Sequence, residues 1–282
     1  MRTRSIACLG PLGFHRTAYT EWGDPDHPHV VVCVHGLTRN GRDFDTLAGA
    51  LAERCRVICP DVVGRGLSDW LPDPAGYAYP QYLADMTALI ARSGADRVDW
   101  VGTSMGGLIG MMLAAQPGAP IGRLVVNDVG AFIPQASLER IAGYVGNDPA
   151  FADESALEAY LRRVAAPFGP LTDDHWRHLA RHGGRRAEDG SLRLAYDPGI
   201  AAAFRGGVAD VDLWAVWERI HGDVLIVRGA ESDLLLRDTA AAMTHRGPAS
   251  ARLVEFAGIG HAPTFMASDQ IAAVEAFLFS AG

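Results

Sequence analysis

The sequence predicts an α/β fold: a doubly wound, mostly parallel sheet with an inserted all-helical cap. Three observations carry this. Short β-branched runs alternate with helical-period segments up to residue 131. The alternation stops between residues 132 and 213, where only helix-like pieces occur. It resumes from residue 214 to the end.

The first strands are Val30–Val34, running into His35-Gly36, Arg56–Cys59, running into Pro60-Asp61, and Val98–Val101, running into Gly102-Thr103-Ser104. Near-continuous apolar runs of this length suit strands covered on both faces of a parallel sheet. Gln81–Ser93 carries Tyr82, Met86, Leu89 and Ile90 at helical spacing, with Gly94 as the stop. Met105–Gln116 is apolar nearly all round, as a buried helix is. The strand Arg123–Asn127 completes a set of right-handed βαβ units. The insertion holds helices at Leu138–Tyr144, Glu154–Ala165 and Asp173–His182 and no clear strand. Strand Asp223–Val227, helix Arg237–His245, strand Arg252–Phe256 and helix Asp269–Phe279 then restore the rhythm. The expected division is a core of residues 1–131 and 214–282 and a cap of 132–213, lying over the C-terminal sheet edge where open α/β folds bind ligands.

Composition narrows the function. The 282 residues are 49% hydrophobic and 21% charged, with a net charge of −8 and no block of like charges. No footprint for nucleic acid is present, and an acidic surface disfavours anionic membranes. The chain has no lysine, which removes Schiff-base, Ser–Lys and phosphate-loop lysine chemistry. Cys8, Cys33, Cys55 and Cys59 form no C-x-x-C pair and read as reduced, partly buried thiols. The start, Met1 to Arg16, is basic and then broken by Gly and Pro, too short an apolar stretch for a secretory leader. The expected location is cytoplasmic, without membrane insertion; oligomeric state is left open.

One G-x-S-x-G occurs, Gly102-Thr103-Ser104-Met105-Gly106, where a strand meets a helix. A serine on such a sharp turn is held in a strained, exposed conformation, and its neighbours must lack bulk. A hydroxyl needs an adjacent base to act as nucleophile. His261, in Gly260-His261-Ala262-Pro263 beyond the strand Arg252–Phe256, is the expected base. His35 also follows a core strand but is expected to orient its turn. The acid that fixes the histidine tautomer is expected at Asp233, after strand Asp223–Val227, with Asp128 and Glu231 as rivals. The order serine, acid, histidine is expected to fit Asp233 and Glu231 best, and Asp233 leads. An oxyanion needs two preorganised N–H groups, and the amides of Met105 and Leu37 are expected to supply them.

His35-Gly36, the run Asp61 to Ser68, Gly102 to Gly107, the Asp233 loop and Gly260-His261 together resemble the α/β-hydrolase superfamily, in its capped serine-esterase branch. The resemblance spans about residues 18 to 279 of the chain. It implies an acyl-enzyme route on a carboxylic ester with no cofactor. The chain departs from it by one extra residue between Gly229 and Asp233, compared with the shorter G-x-x-D loop. Serine at 104 argues against the aspartate-nucleophile relatives. Arg39, beside Asn40 and Arg42, is a candidate partner for a substrate carboxylate, a trait similar to hydrolases of hydroxyalkanoate oligomers. Tyr144 and Trp214, with Trp217 and Phe168, are candidates to line an acyl pocket. His175, His178 and His182 share a helix face and could ligate zinc, but the stripe of Trp176 and Leu179 makes them the polar flank of a cap helix, so no metal is expected. Carbon–carbon or lactone hydrolysis, acyl transfer, and a slow-turnover ligand sensor remain as alternatives on the same residues.

Overall fold

A computed structural model describes residues 1–280. In chain order, the first part of the core comprises β1 (Arg2–Gly10), β2 (Gly13–Trp22), β3 (Val30–Val34), α1 (Asp45–Leu51), β4 (Arg56–Pro60), α2 (Tyr79–Ser93), β5 (Val98–Thr103), α3 (Met105–Ala114) and β6 (Ile121–Asn127). The insertion follows with β7 (Phe132–Ile133), α4 (Gln135–Ala142), α5 (Glu154–Val164), α6 (Asp173–Gly183), β8 (Gly184–Arg186), β9 (Leu192–Leu194) and β10 (Val211–Asp212). The core closes with α7 (Trp214–Trp217), β11 (Val224–Gly229), α8 (Arg237–Met243), β12 (Arg252–Phe256) and α9 (Ser268–Leu278).

Eight strands form one sheet in the order β1-β2-β4-β3-β5-β6-β11-β12. The pairings from β4 to β12 are parallel, and those of β2 with β1 and β4 are antiparallel. Every residue of β3 is buried, because successive side chains enter opposite cores: Val30, Val32 and Val34 on one face, Val31 and Cys33 on the other. The four cysteines are buried and unpaired, and burial pushes the Cys8 thiol up to about 11 and that of Cys55 to about 12. They are packing residues, not nucleophiles.

The hairpin β1–β2 lies outside the strands expected from the sequence. Strand β1 lies at the sheet edge with Arg2, Thr3, Arg4 and Ser5 exposed, so the apolar period that marks buried strands is missing. Its backbone ladder with β2, supported by Arg4 Nε donating to Glu21 Oε2 at 2.7 Å, supplies the order instead.

The cap is helical in its main elements, α4 to α6, but not throughout. It enters and leaves through the antiparallel pair β7–β10, and β8–β9 forms a hairpin of three-residue strands inside it. Such short strands carry too few side chains to show a period of two. The cap has its own small core, with Leu157, Leu161, Trp176 and Leu179, into which Met266 projects from the α/β core. No helix among the described residues is long and apolar enough to cross a membrane.

Candidate active site

Ser104 occupies the junction of β5 and α3 with φ 52° and ψ −114°, a backbone conformation that costs energy for any residue with a side chain. The amide of Ser104 donates to the Asn127 carbonyl at 2.8 Å, and its carbonyl accepts from Leu108 at 3.0 Å. The turn closes only because its neighbour is glycine: a Cβ on Gly106 would stand 2.0 Å from the Val34 carbonyl oxygen.

His261 follows β12 and meets this serine, with Nε2 3.1 Å from Ser104 Oγ. Its other nitrogen, Nδ1, lies 2.7 Å from Asp128 Oδ2. Asp128 is fully buried at the end of β6, in a left-handed conformation (φ 54°) that aspartate tolerates better than most residues. Its carboxylate also accepts from the Gly229 amide at 2.9 Å and from Ser232 Oγ at 2.5 Å. The Nδ1 contact with Asp128 suits the tautomer that carries its proton on Nδ1 and leaves Nε2 to accept from the serine.

The expectation for the acid is therefore corrected from Asp233 to Asp128. Asp233 is exposed and pairs with Arg140 of α4, Nε to Oδ2 at 2.6 Å. Glu231 is exposed as well. The loop after β11 nevertheless serves the site through Ser232 and the Gly229 amide. Asp128 satisfies the same chain order of serine, acid and histidine; strand adjacency separates it from Asp233, because β6 lies between β5 and β11.

The loop after β3 covers Ser104: a Cβ on Gly36 would stand 3.7 Å from the Ser104 Cβ. His35 braces this loop, with Nδ1 2.7 Å from the Gly36 carbonyl and Nε2 accepting from the Val62 amide at 2.9 Å. Burial pushes His35 down to about 4, so it stays neutral as its two bonds require. The amides of Leu37 and Met105 take part in no hydrogen bond among the described residues and remain available as donors. The fully buried Arg65 ties the two residues together, its Nε donating to the Leu37 carbonyl at 2.8 Å and its Nη2 lying 3.6 Å from Met105 Sδ. It has no carboxylate partner among the described residues; its remaining bonds go to the Val63 carbonyl and the Tyr82 hydroxyl. Arg65 belongs to the Asp61–Ser68 run, and its position there is the signal that the sequence offers for it.

Ser104 and His261 open into a cavity of about 540 Å³ between core and cap. Its cap wall is largely apolar and aromatic, including Ile141, Tyr160, Val164, Phe168 and Tyr196, and Tyr144 lines it as anticipated. Trp214 does not: it lies outside this cavity, with the Arg246 guanidinium 4.0 Å above its ring. Trp217 is fully buried in the core. Both fall on the core side of the β7–β10 junction, which turns them away from the cap. Arg39 lines the cavity, but its guanidinium is engaged by Asp43 through both Nε (2.8 Å) and Nη2 (2.6 Å). The cap histidines do not converge on one point. The His175 ring closes the start of α6 on Thr172, whereas His178 and His182 reach the core beside Arg42 and Asp45. One ligand atom each of Asp45, His178 and His182 lies close together, but the Arg42 fork already binds Asp45 and stands 3.3 Å from His182 Nδ1. A guanidinium in that position opposes a second cation.

A model of the alpha/beta hydrolase family matches residues 31–274. The chain is 48% identical to a 3-hydroxybutyrate-oligomer hydrolase of Cupriavidus necator, over 98% of this chain and 97% of that protein. Among solved structures, an alpha/beta hydrolase from Novosphingobium aromaticivorans superposes with a TM-score of 0.87 at 36% identity, covering 98% of both chains. E-2-(acetamidomethylene)succinate hydrolase superposes with a TM-score of 0.82 at 25% identity, covering 98% of this chain and 99% of that one. The chain belongs to the α/β-hydrolase family.

Proposed function

We propose that this α/β hydrolase is a serine esterase that cleaves the ester bonds of short 3-hydroxyalkanoate oligomers. The observation that carries the reading is the unbroken line from Ser104 Oγ through His261 to Asp128, at 3.1 and 2.7 Å, opening into the cavity under the cap. The near-full-length likeness to the Cupriavidus necator enzyme supplies the substrate class. Such oligomers are polyesters of a hydroxy acid, small enough in cross-section for a cavity of this volume.

The geometry supports the following chemistry. Ser104 Oγ attacks the ester carbonyl carbon while its proton passes to His261 Nε2. The negative charge that develops on the carbonyl oxygen is met by the amides of Leu37 and Met105, which have no other acceptor among the described residues. Collapse breaks the bond to the alcohol oxygen, and His261 returns its proton to that leaving group. Water, deprotonated by the same imidazole, then releases the acyl group from Ser104. Asp128 accepts from Nδ1 throughout and balances the imidazolium charge. No step requires a metal or cofactor.

The test is hydrolysis of a 3-hydroxybutyrate dimer and of p-nitrophenyl esters by the protein and by Ser104→Ala. Removal of the nucleophile should lower kcat by at least about 10³-fold. Equal rates for the two proteins on every ester would overturn the reading.

A further inference from the structure

We propose that Arg163, on the last turn of α5, is the receptor for a free carboxylate on the substrate, so that the enzyme works from the carboxyl end of its oligomers. This rests on the ester-hydrolase reading above.

Three arginines line the cavity: Arg39, Arg140 and Arg163. Two are already neutralised within the protein. Arg39 makes its two-point contact with Asp43, and Arg140 makes one with Asp233. Neighbouring Arg162 points elsewhere and pairs with Glu158 and Asp173. Arg163 alone of the cavity arginines forms no ion pair or hydrogen bond among the described residues. Its guanidinium lies 5.6 Å over the ring of Tyr160, which occupies the same face of α5 three residues earlier and lines the same cavity. Stacking on an aromatic ring limits the orientations of the fork while leaving its N–H edges free, the arrangement that two-point carboxylate recognition needs.

The charge balance gives this group its importance. The chain carries a net charge of −8, which repels an acidic substrate at long range. With Arg39 and Arg140 compensated, Arg163 in the cap wall is the arginine lining the cavity that has no carboxylate partner among the described residues. A hydroxyalkanoate oligomer carries its only charge at the carboxyl end. When the last ester is cleaved, that carboxylate belongs to the alcohol side of the scissile bond. Ser104 Oγ bonds to the carbonyl carbon, the carbonyl carbon–alkoxy oxygen bond breaks, and His261 protonates the departing alkoxide. The unit released first is thus a free hydroxy acid, and the shortened chain leaves after water attacks the acyl-enzyme.

The experiment compares the 3-hydroxybutyrate dimer as its free acid with the same dimer as its terminal carboxamide, which keeps shape and removes charge. In the native protein the acid should have the larger kcat/KM, by about tenfold at low salt, and the advantage should shrink as ionic strength rises because Arg163 is exposed. Arg163→Ala should erase the advantage by slowing the acid alone, chiefly through KM. Arg163→Lys should restore part of it, since it keeps the charge without the planar fork. Arg162→Ala, beside it but outside the cavity lining, should leave the ratio intact. Retained hydrolysis with an acid-to-amide ratio near one, or a ratio unchanged in Arg163→Ala, overturns the carboxylate assignment while leaving the esterase reading standing. Failure to cleave either dimer overturns both.

Discussion

The two walls of the cavity are built on different principles. On the core side, Ser104, His261, Asp128, Leu37 and Met105 sit at strand ends or on the turns that follow them, and each is fixed by neighbours that leave little freedom. Asp128 is fully buried with three donors on its carboxylate, and Ser104 holds a strained backbone. On the cap side, Tyr160, Val164, Phe168 and Arg163 present shape and one uncompensated charge, with few polar bonds among themselves. The cap meets the core partly through half-exposed pairs such as Arg140–Asp233, and through the contacts of His178 and His182 with Arg42 and Asp45. The difference teaches that reactivity and selectivity are separable here. Strand ends in a parallel sheet hold reacting groups to the tolerance that catalysis needs, whereas the cap can change its lining without disturbing them.

The sharpest way to break this comparison is to exchange the roles of the two aspartates. Asp128→Asn should lower kcat by about 10⁴-fold, because an amide in that position cannot hold the imidazole in the productive tautomer. Asp233→Asn should change kcat by less than about threefold, since Asp233 reaches Arg140 and not His261. Ester-hydrolysis rates of the two variants check both; a large loss in Asp233→Asn would mean that the cap pairing is part of the chemistry.

A smaller effect concerns the brace of the oxyanion loop. His35 is held at about 4 in the folded chain, against 6.5 when exposed. The unfolded chain therefore binds the extra proton in that window, so this contribution to stability is complete above about pH 6.5 and is lost as pH falls through about 4. The full loss is about 3 kcal/mol. Asp61, which burial raises to about 6, acts in the opposite direction between about 3.8 and 6. Thermal unfolding of the native protein and His35→Gln across pH 4 to 7 isolates the histidine: the variant should lose less stability on acidification. Parallel curves would show that His35 is not the group being read.

The smallest effect should be at the cap joint. Arg140→Ala, which leaves Asp233 unpaired in solvent, should cost at most about 1 kcal/mol of stability and should not shift kcat on neutral esters. A unit of stability is visible in a urea midpoint. A larger loss would mean that the cap depends on this pair more than its exposure suggests.

The candidate nucleophile was legible in the sequence because its geometry is local: five residues with two glycines between a strand and a helix give Ser104 its turn. His261 was legible for a similar reason, from its glycine-flanked loop after the last strand. The order of core strands and helices also followed from runs of buried residues. The acid was not fixed in this way. Asp128 and Asp233 both follow strands and both keep the order serine, acid, histidine. What separates them is which strand lies beside β5, and which loop points its donors inward. Charge pairing is the second part that the sequence left open. Arg39 stands four residues before Asp43, a spacing visible in the sequence, but only the fold shows the pair closed and Arg163 open to the cavity. The edge hairpin and the short cap strands escaped because strands with exposed or very few side chains carry no hydrophobic period. The sequence by itself thus determined the fold class and singled out the candidate serine and histidine, since each rests on neighbours a few residues away. The tertiary structure decided the candidate acid, the lining of the cavity and which of its arginines is unpaired among the described residues, because those depend on hydrogen bonds and ion pairs between segments distant along the chain.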